Sequence, residues 1–572
     1  RGGETRLTYG AGYLAKLAGA TPAVDALSDV RAEVVRQRDL RLRRYTYAKA
    51  ASGAPAQWET KASDARSETT VYHTDHRGRT LQLTDPRATV SKLRWDGDNN
   101  VTQMTEAAAT ADEAITTMAY NEHGQLRWIS DPMENRTELS YMVGEGVHLA
   151  DVETRGEFVS DLNRIEHPKG VATGAVDDFT ELFEVDPRGN VTGRRDQEGN
   201  WAHTEFDSFG RVVRETDQMG NVTRYEQYDA NGMPRVVLDA KDGRSEYRFD
   251  DAGNLLATSD PRAAEYGGLR DAQHRFQARF EYDAHDQMVK EILPKDSRAG
   301  EFITRSYDYD VNGNEQRSVD GTGAATTQEF DEMDRPVAVK SPSVAHAGEE
   351  QPSQEITRRA YDGEGNVVRE QRPRGDEDQS SDQDFSTDYE YDADGNLVVV
   401  RRHDVKGEQR TTLVTSMGYD RRGNLTGIAD PKKNASTGDT PLQNVADGDV
   451  RFRYEYDKAN RKVKQIEDPA GLWLSTAYTY DRNDNLVEVR DPRYNTSRRE
   501  YDQRDLLVAE VDQLYRRTEY ERRADGKVDS RLSPRHFDEW SEDDEHREKL
   551  IYDGLGNIVE RRLPRWRHGV DP

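Results

Sequence analysis

The sequence predicts an all-β chain of antiparallel hairpins joined in series. Three observations predict it. A short unit recurs: an aromatic residue, Asp, two variable residues, Gly, Asn, then an aliphatic residue. Between residues 185 and 255, turn signals follow one another roughly every 11 residues, within the spacing of successive short strands. The composition is also lean, with 34% hydrophobic and 33% charged residues in 572, and a mean hydropathy of -1.02. Counting Gly and leaving out Tyr, the apolar share is roughly 37%, below the ~45–50% of ordinary domains. Such a chain cannot build a thick core. It is disordered, or it folds as a thin layer exposed on both faces.

The composition excludes other classes. At ~150 residues per domain the length would make roughly four domains. No apolar run approaches the ~18 residues of a membrane-spanning helix. No charged-then-apolar leader is visible, and a first residue of Arg suggests a piece of a longer product. A formal net charge of -28 disfavours nucleic acid as a partner. With no Cys, neither disulfides nor thiolate metal sites can form. That suits work in both reducing and oxidising surroundings.

The elements follow in order. Residues 1–70 lack a clear repeat and read as partly helical or irregular. There, Val24, Leu27, Val30 and Val34 fall at helical spacing, and Thr21-Pro22 offers a start, predicting a helix over 22–38. Weak traces of the unit begin at Tyr72, Trp95 and Tyr120. Degenerate copies begin at Phe206, Tyr228, Tyr282, Tyr309, Phe330, Tyr456, Tyr480 and Tyr501. Clear copies are Phe249-Asp-Asp-Ala-Gly-Asn-Leu, Tyr361-Asp-Gly-Glu-Gly-Asn-Val, Tyr391-Asp-Ala-Asp-Gly-Asn-Leu, Tyr419-Asp-Arg-Arg-Gly-Asn-Leu and Tyr552-Asp-Gly-Leu-Gly-Asn-Ile. Two turn steps make one aromatic-Asp repeat of about 21 residues.

Each residue type has a reason. Asp accepts a bond from a backbone N–H two residues on. Gly supplies a positive φ, and Asn tolerates the left-handed region beside it. Phe452, Tyr454 and Tyr456 alternate with Arg and Glu, as in a strand. Isolated hairpins are marginal in water, so the units must pair sideways, with their aromatics as a cross-strand ladder. A second recurring turn is Asp-Pro, at Asp85, Asp131, Asp186, Asp260, Asp430, Asp468 and Asp491. Polar stretches at 371–388 and 432–449 read as loop insertions.

The units resemble the YD, or Rhs, repeat, over about residues 70–572. That family includes bacterial Rhs polymorphic toxins, C subunits of insecticidal toxin complexes, wall-associated proteins and teneurins. The resemblance implies a spiral of antiparallel hairpins forming part of a large hollow β-shell. In the bacterial toxins the shell encloses a C-terminal toxin. The implied partners are that cargo, an N-terminal delivery or plug module and a secretion apparatus such as type VI. The implied place is a bacterial surface, the outside, or the cytoplasm before delivery. The family's closing motif, Pro-x-x-x-x-Asp-Pro-x-Gly-Leu, is absent. The chain ends Leu563-Pro-Arg-Trp-Arg-His-Gly-Val-Asp571-Pro572, and Asp571 reads as one more Asp-Pro turn rather than a cleavage site.

No catalytic, cofactor or metal residue is assigned. Asp308, Asp310, Asn312 and Gly313 imitate the opening of a calcium loop, but the twelfth position is Val319. Asp392, Asp394 and Asn396 likewise have Leu397 where the loop needs Gly. His73 and His76 lack a third ligand. No Gly-x-Ser-x-Gly elbow occurs, and the Gly321-Thr-Gly323 turn lacks the Lys of a phosphate loop. Basic runs at Arg41–Arg44 and Arg561-Arg562 read as solvated strand faces. The first functional reading is a non-catalytic scaffold that encapsulates and delivers a toxin. The alternative is a surface or secreted adhesin whose aromatics bind carbohydrate or protein.

Overall fold

The computed structural model describes residues 6–9, 32–36, 42–49, 58–142, 161–174, 178–296, 301–343, 354–372, 385–406, 409–431, 450–534 and 547–564. These form two compact units of two chain stretches each: Arg1–Thr117 with Arg305–Leu474, and Met118–Thr304 with Ser475–Pro572. Within each, short strands pair antiparallel with their neighbours in sequence.

The hairpin turn is the structural unit. In the turn at Asp392, the Asp392 N–H donates to Asn396 O at 2.8 Å and the Gly395 N–H to Asp392 O at 3.1 Å. One carboxylate oxygen of Asp392 accepts the N–H groups of Asp394 and Asn396, at 3.0 and 2.8 Å. The other accepts the Asn396 side-chain amide at 3.0 Å. Gly395 has φ +87°, where a Cβ is penalised. The register shifts between Glu390 and Tyr391, so the closing pair is bulged.

Two expectations are corrected here. The Asn is not the left-handed residue. It follows that residue and supplies the amide that holds the Asp carboxylate. Arg does the same work elsewhere, as where Arg211 Nε donates to Asp207 at 2.7 Å. Nor is Asp-Pro a separate turn in general. At Asp186-Pro187 the same bonds recur, from Asp186 N–H to Asn190 O at 2.9 Å and from Gly189 N–H to Asp186 O at 3.0 Å. Proline fits because the second residue donates nothing in this turn. Asp260-Pro261 differs and caps a 3-10 helix, Pro261–Tyr266.

Turns alternate between the two ends of the strands, making two rows. The first row carries the aromatic-Asp units. Its aromatics are joined by hydrogen bonds. Tyr391 Oη donates to Val367 O at 3.0 Å, Tyr419 Oη to Leu397 O at 2.9 Å and Tyr552 Oη to Val528 O at 2.7 Å. Each acceptor is the residue just past the preceding first-row turn. Trp95 Nε1 and Arg522 make the equivalent bond to Thr80 O and Leu507 O. The weak trace at Tyr72 is displaced, because Thr74 precedes the turn residue Asp75. Tyr391→Phe should cost about 1 kcal/mol locally. The readout is faster amide exchange confined to 367–371 and 391–397, and unchanged exchange there would count against the latch.

Among the described residues, buried positions recur with the repeat. Val236, Ala257, Ala338, Val399, Ala509 and Ser530 each lie seven residues after a first-row Asp or its equivalent, and none is more than 6% exposed. Ala509 sits between Glu500 and Glu519 on adjacent strands. Arg517 bonds both acids, at 2.6 and 2.8 Å. Long charged side chains thus cover small central ones, which accommodates the low apolar share.

Several left-handed turn positions hold residues other than Gly. Asp334 (φ +59°) accepts the side-chain amides of Asn312 and Asn314, at 3.0 and 2.7 Å. Tyr494 and Tyr515, in the second row, have φ +66° and +61° and are 80% and 82% exposed. Tyr515→Gly should therefore stabilise its turn by about 0.5–1 kcal/mol. Slower exchange of the 512–516 amides is the expected sign, and faster exchange would show that the ring contributes packing.

The expected helix over 22–38 is corrected where it is described. Ala32–Arg36 is a strand, paired with Arg6–Tyr9 and Leu42–Lys49. The adjacent β-branched Val34 and Val35 favour a pleated strand once partners are present. The remainder, 22–31 and 37–38, lies outside the described residues. Hairpin pairing also starts before residue 70, since Trp58–Ser63 pairs along its length with Thr69–Thr74. Of the expected loop at 371–388, Gln371 and residues 386–388 belong to strands. Residues 373–384 and the whole of 432–449 lie outside the described residues.

Candidate functional site

In each unit, second-row turns of the earlier stretch meet first-row turns of the later stretch. The partners are 299 to 334 positions apart in sequence. In the first unit the Ala65 N–H donates to Glu364 Oε1 at 2.8 Å. The Arg66 guanidinium donates to Asp392 O and Ala393 O, at 3.0 and 3.2 Å. Arg87 donates to Asp420 O at 2.9 Å, and the Arg421 N–H donates to Asp112 at 3.2 Å. In the second unit the Lys169 N–H donates to Asn483 Oδ1 at 3.0 Å and the Phe179 N–H to Gln503 Oε1 at 2.9 Å. Lys241 Nζ lies 2.5 Å from Asp553, and Lys169 Nζ lies 2.5 Å from Asp481.

These seams use the two variable positions of the repeat. Glu364, Asp394 and Asn483 each stand two residues after a first-row Asp. Gly363 is fixed by proximity, since a Cβ there would lie 2.9 Å from Ala65 Cβ. Sequence reasoning weighed Asp394 only as a calcium ligand and passed over the seam role of all three, because variability across repeats hides a role that depends on what docks opposite.

Electrostatics differ between the seams. Lys241 holds the Asp553 carboxyl down, to about 2. In the first unit, burial and then the Asp85 charge push Asp394 up to about 6, against the opposing Arg87. A cleft of about 720 Å³ adjoins Asp394 and is lined by Asp85, Thr89, Arg66, Arg422 and Glu364 among others. Thr89 Oγ1, Arg66 Nε and Arg422 Nε are buried without a hydrogen-bond partner in the protein. A polar cleft of this size has the room and the partners that a water needs.

The residues weighed for chemistry are employed elsewhere. Asp310 accepts the N–H groups of Asn312 and Asn314, both at 2.9 Å, as a turn residue. Asp308 bonds Arg317 at 3.1 Å. Asp392 is consumed by its turn, and Asp394 belongs to the seam. His73 Nε2 is 3.3 Å from Glu59, while His76 stands in the Asp75 turn. Gly323 (φ +86°) completes an Asp320 turn. Arg561 pairs with Glu548 and Arg562 with Glu560, while Arg44 lies on an outward strand position. Asp571 lies outside the described residues. No helix among the described residues is long and apolar enough to cross a membrane.

Comparison with known proteins agrees with the turn chemistry. The family model for the RHS Repeat matches residues 206–241 and 228–265. No curated protein sequence matches the chain. Among solved structures, TcdB2-TccC3 without its hypervariable C-terminal region is 14% identical, with TM-score 0.41, over 88% of this chain and 26% of that one. TcdB2-TccC3 itself is 12% identical, with TM-score 0.34, over 96% of this chain and 33% of that one. The Photorhabdus luminescens Tc holotoxin pore is 12% identical, with TM-score 0.34, over 94% of this chain and 34% of that one. The chain therefore spans about a third or less of those proteins. Residues 206–265 thus carry two overlapping matches to the RHS Repeat, and the hydrogen-bonded turn found there recurs from Asp64 to Asp553.

Proposed function

We propose that this Rhs-repeat scaffold is a wall segment of a bacterial toxin shell that encloses and delivers a C-terminal toxin and contributes no chemistry of its own. The observation that carries this reading is the seam. Polar side chains stitch turn row to turn row between stretches some 300 residues apart, so one-layer sheets extend sideways into a wall. Such a wall needs no thick core and offers polar faces to a cargo. Delivery to the bacterial surface or beyond, with help from an N-terminal module and a secretion apparatus, belongs to the same proposal.

Limited proteolysis of the full-length product tests it. The segment downstream of this chain should resist protease while the wall is intact and become sensitive when the seam is wedged open by Gly363→Leu. Equal digestion in both, at the rate of the isolated segment, would overturn the reading. The exposed rings of Tyr494 and Tyr515 favour a second reading, surface attachment to carbohydrate. Glycan-array binding that is lost in Tyr494→Ala/Tyr515→Ala would support it.

A further inference from the structure

In most turns the N–H of the second residue after Asp bonds back to the Asp carboxylate, as Arg77 does to Asp75 and Arg188 to Asp186, both at 2.8 Å. At Asp85 the arrangement differs. Asp85 keeps the Thr89 N–H at 2.6 Å, but Arg87 is turned across the seam toward the Asp394 carboxyl, its Nε 3.5 Å away. The Arg87 guanidinium is also divided. Its Nη1 is 3.4 Å from Asp392, its Nε is 3.5 Å from Asp394, and its Nη2 donates to Tyr419 O and Asp420 O. One cation therefore serves Asp392 and Asp394 while Asp85 faces them.

The other charges around Asp394 do not resolve this crowding. Arg66, from the Asp64 turn, is occupied by Asp392 O and Ala393 O. Arg422 is occupied by Asp457 O and Lys458 O, and Arg421 by Arg87 O. Glu364, Glu106 and Asp64 add negative charge along the cleft. The cleft gives water, and hence protons, a route to the carboxyl.

We propose that the seam of the first unit is a proton-operated latch: Asp394 tightens the contact between the Asp85 and Asp392 turns when protonated and loosens it when ionised.

The sign follows from linkage. Burial, then the charges of Asp85 and Asp392, outweigh Arg87 and raise the docked carboxyl to about 6, above its ordinary value near 4. The docked state therefore binds the proton more tightly than the open state. Docking is strongest below about pH 4, weakens as pH rises through about 6, and is level above that. The second unit behaves differently, because Asp553 is held down to about 2 and does not titrate between pH 5 and 7.5.

Hydrogen exchange of the full chain at pH 5 and pH 7.5, corrected for intrinsic rates, tests the latch. Opening at amides 85–89 and 392–396 should rise about tenfold at the higher pH. Two pK units set a limit of about 100-fold over the whole titration, and about tenfold of it falls below pH 5, where the open-state carboxyl has already ionised. Peptides at 239–243 and 553–557 should not change. Asp394→Asn should abolish the pH dependence and keep the seam closed at both values. Asp85→Asn should move the midpoint down. Equal opening at both pH values in the unmodified chain, the same slope in Asp394→Asn, or an unmoved midpoint in Asp85→Asn would overturn the proposal.

Discussion

Replacing Asp392 with alanine should cost about 3 kcal/mol of local stability, the largest effect of any single turn substitution considered. The carboxylate accepts two backbone N–H groups and one side-chain amide within its hairpin. Bonds to a charged acceptor contribute roughly 1.5–3 kcal/mol each, and the donors left behind are half-buried. The same carboxylate lies 3.4 Å from Arg87 across the seam. The loss should therefore spread to amides 85–89, which are far away in sequence. Asp392→Asn keeps one acceptor oxygen in place and should lose only about 1 kcal/mol. Hydrogen exchange separates the two. Identical exchange in the alanine and asparagine variants would mean that turn geometry, not the carboxylate, holds the hairpin.

Acid should dissolve the turn rows together between about pH 4 and pH 2. Several turn carboxyls are held below the ordinary Asp value: Asp186 by the Asn190 amide, Asp250 by Asn254, Asp491 by Asn495 and Asp512 by Arg516. Asp553 is held down by Lys241 to about 2. A depressed folded value means that the stabilisation is complete above the unfolded value near 4 and is lost as pH falls through the folded values. The loss is distributed over many equivalent turns, so it should be cooperative. Far-UV circular dichroism against pH reads it directly. A midpoint near pH 6 would show that the turn carboxylates do not control the transition. The first seam runs the other way, tightening in mild acid before the turns fail.

The turn rows were legible in the sequence because each depends on residues at most five positions apart. Asp, Gly and the following Asn or Arg meet through local backbone geometry, so one chain with many copies displays the rule repeatedly. The exact job of Asn was not legible. Tolerance of a positive φ and donation to a carboxylate four residues back both suit the same residue type, and only the folded structure separates them. The helix expected at 22–38 failed in its described part for a related reason. Helical spacing of Val30 and Val34 is a local signal, whereas Ala32–Arg36 is a strand because Arg6–Tyr9 and Leu42–Lys49 flank it.

The seams lie beyond any local rule. Glu364, Asp394 and Asn483 occupy positions that vary from copy to copy, and their partners are about 300 residues away. Nothing in a 21-residue period says which turn will face which. The sequence by itself determined the hairpin, its period and the low apolar share, since these follow from turn chemistry and composition. The tertiary structure alone decided that second-row turns dock on first-row turns. It also decided that Asp394 meets Asp85 and Arg87 there, because the spacing of charges across a seam is set by how far the chain travels before it returns.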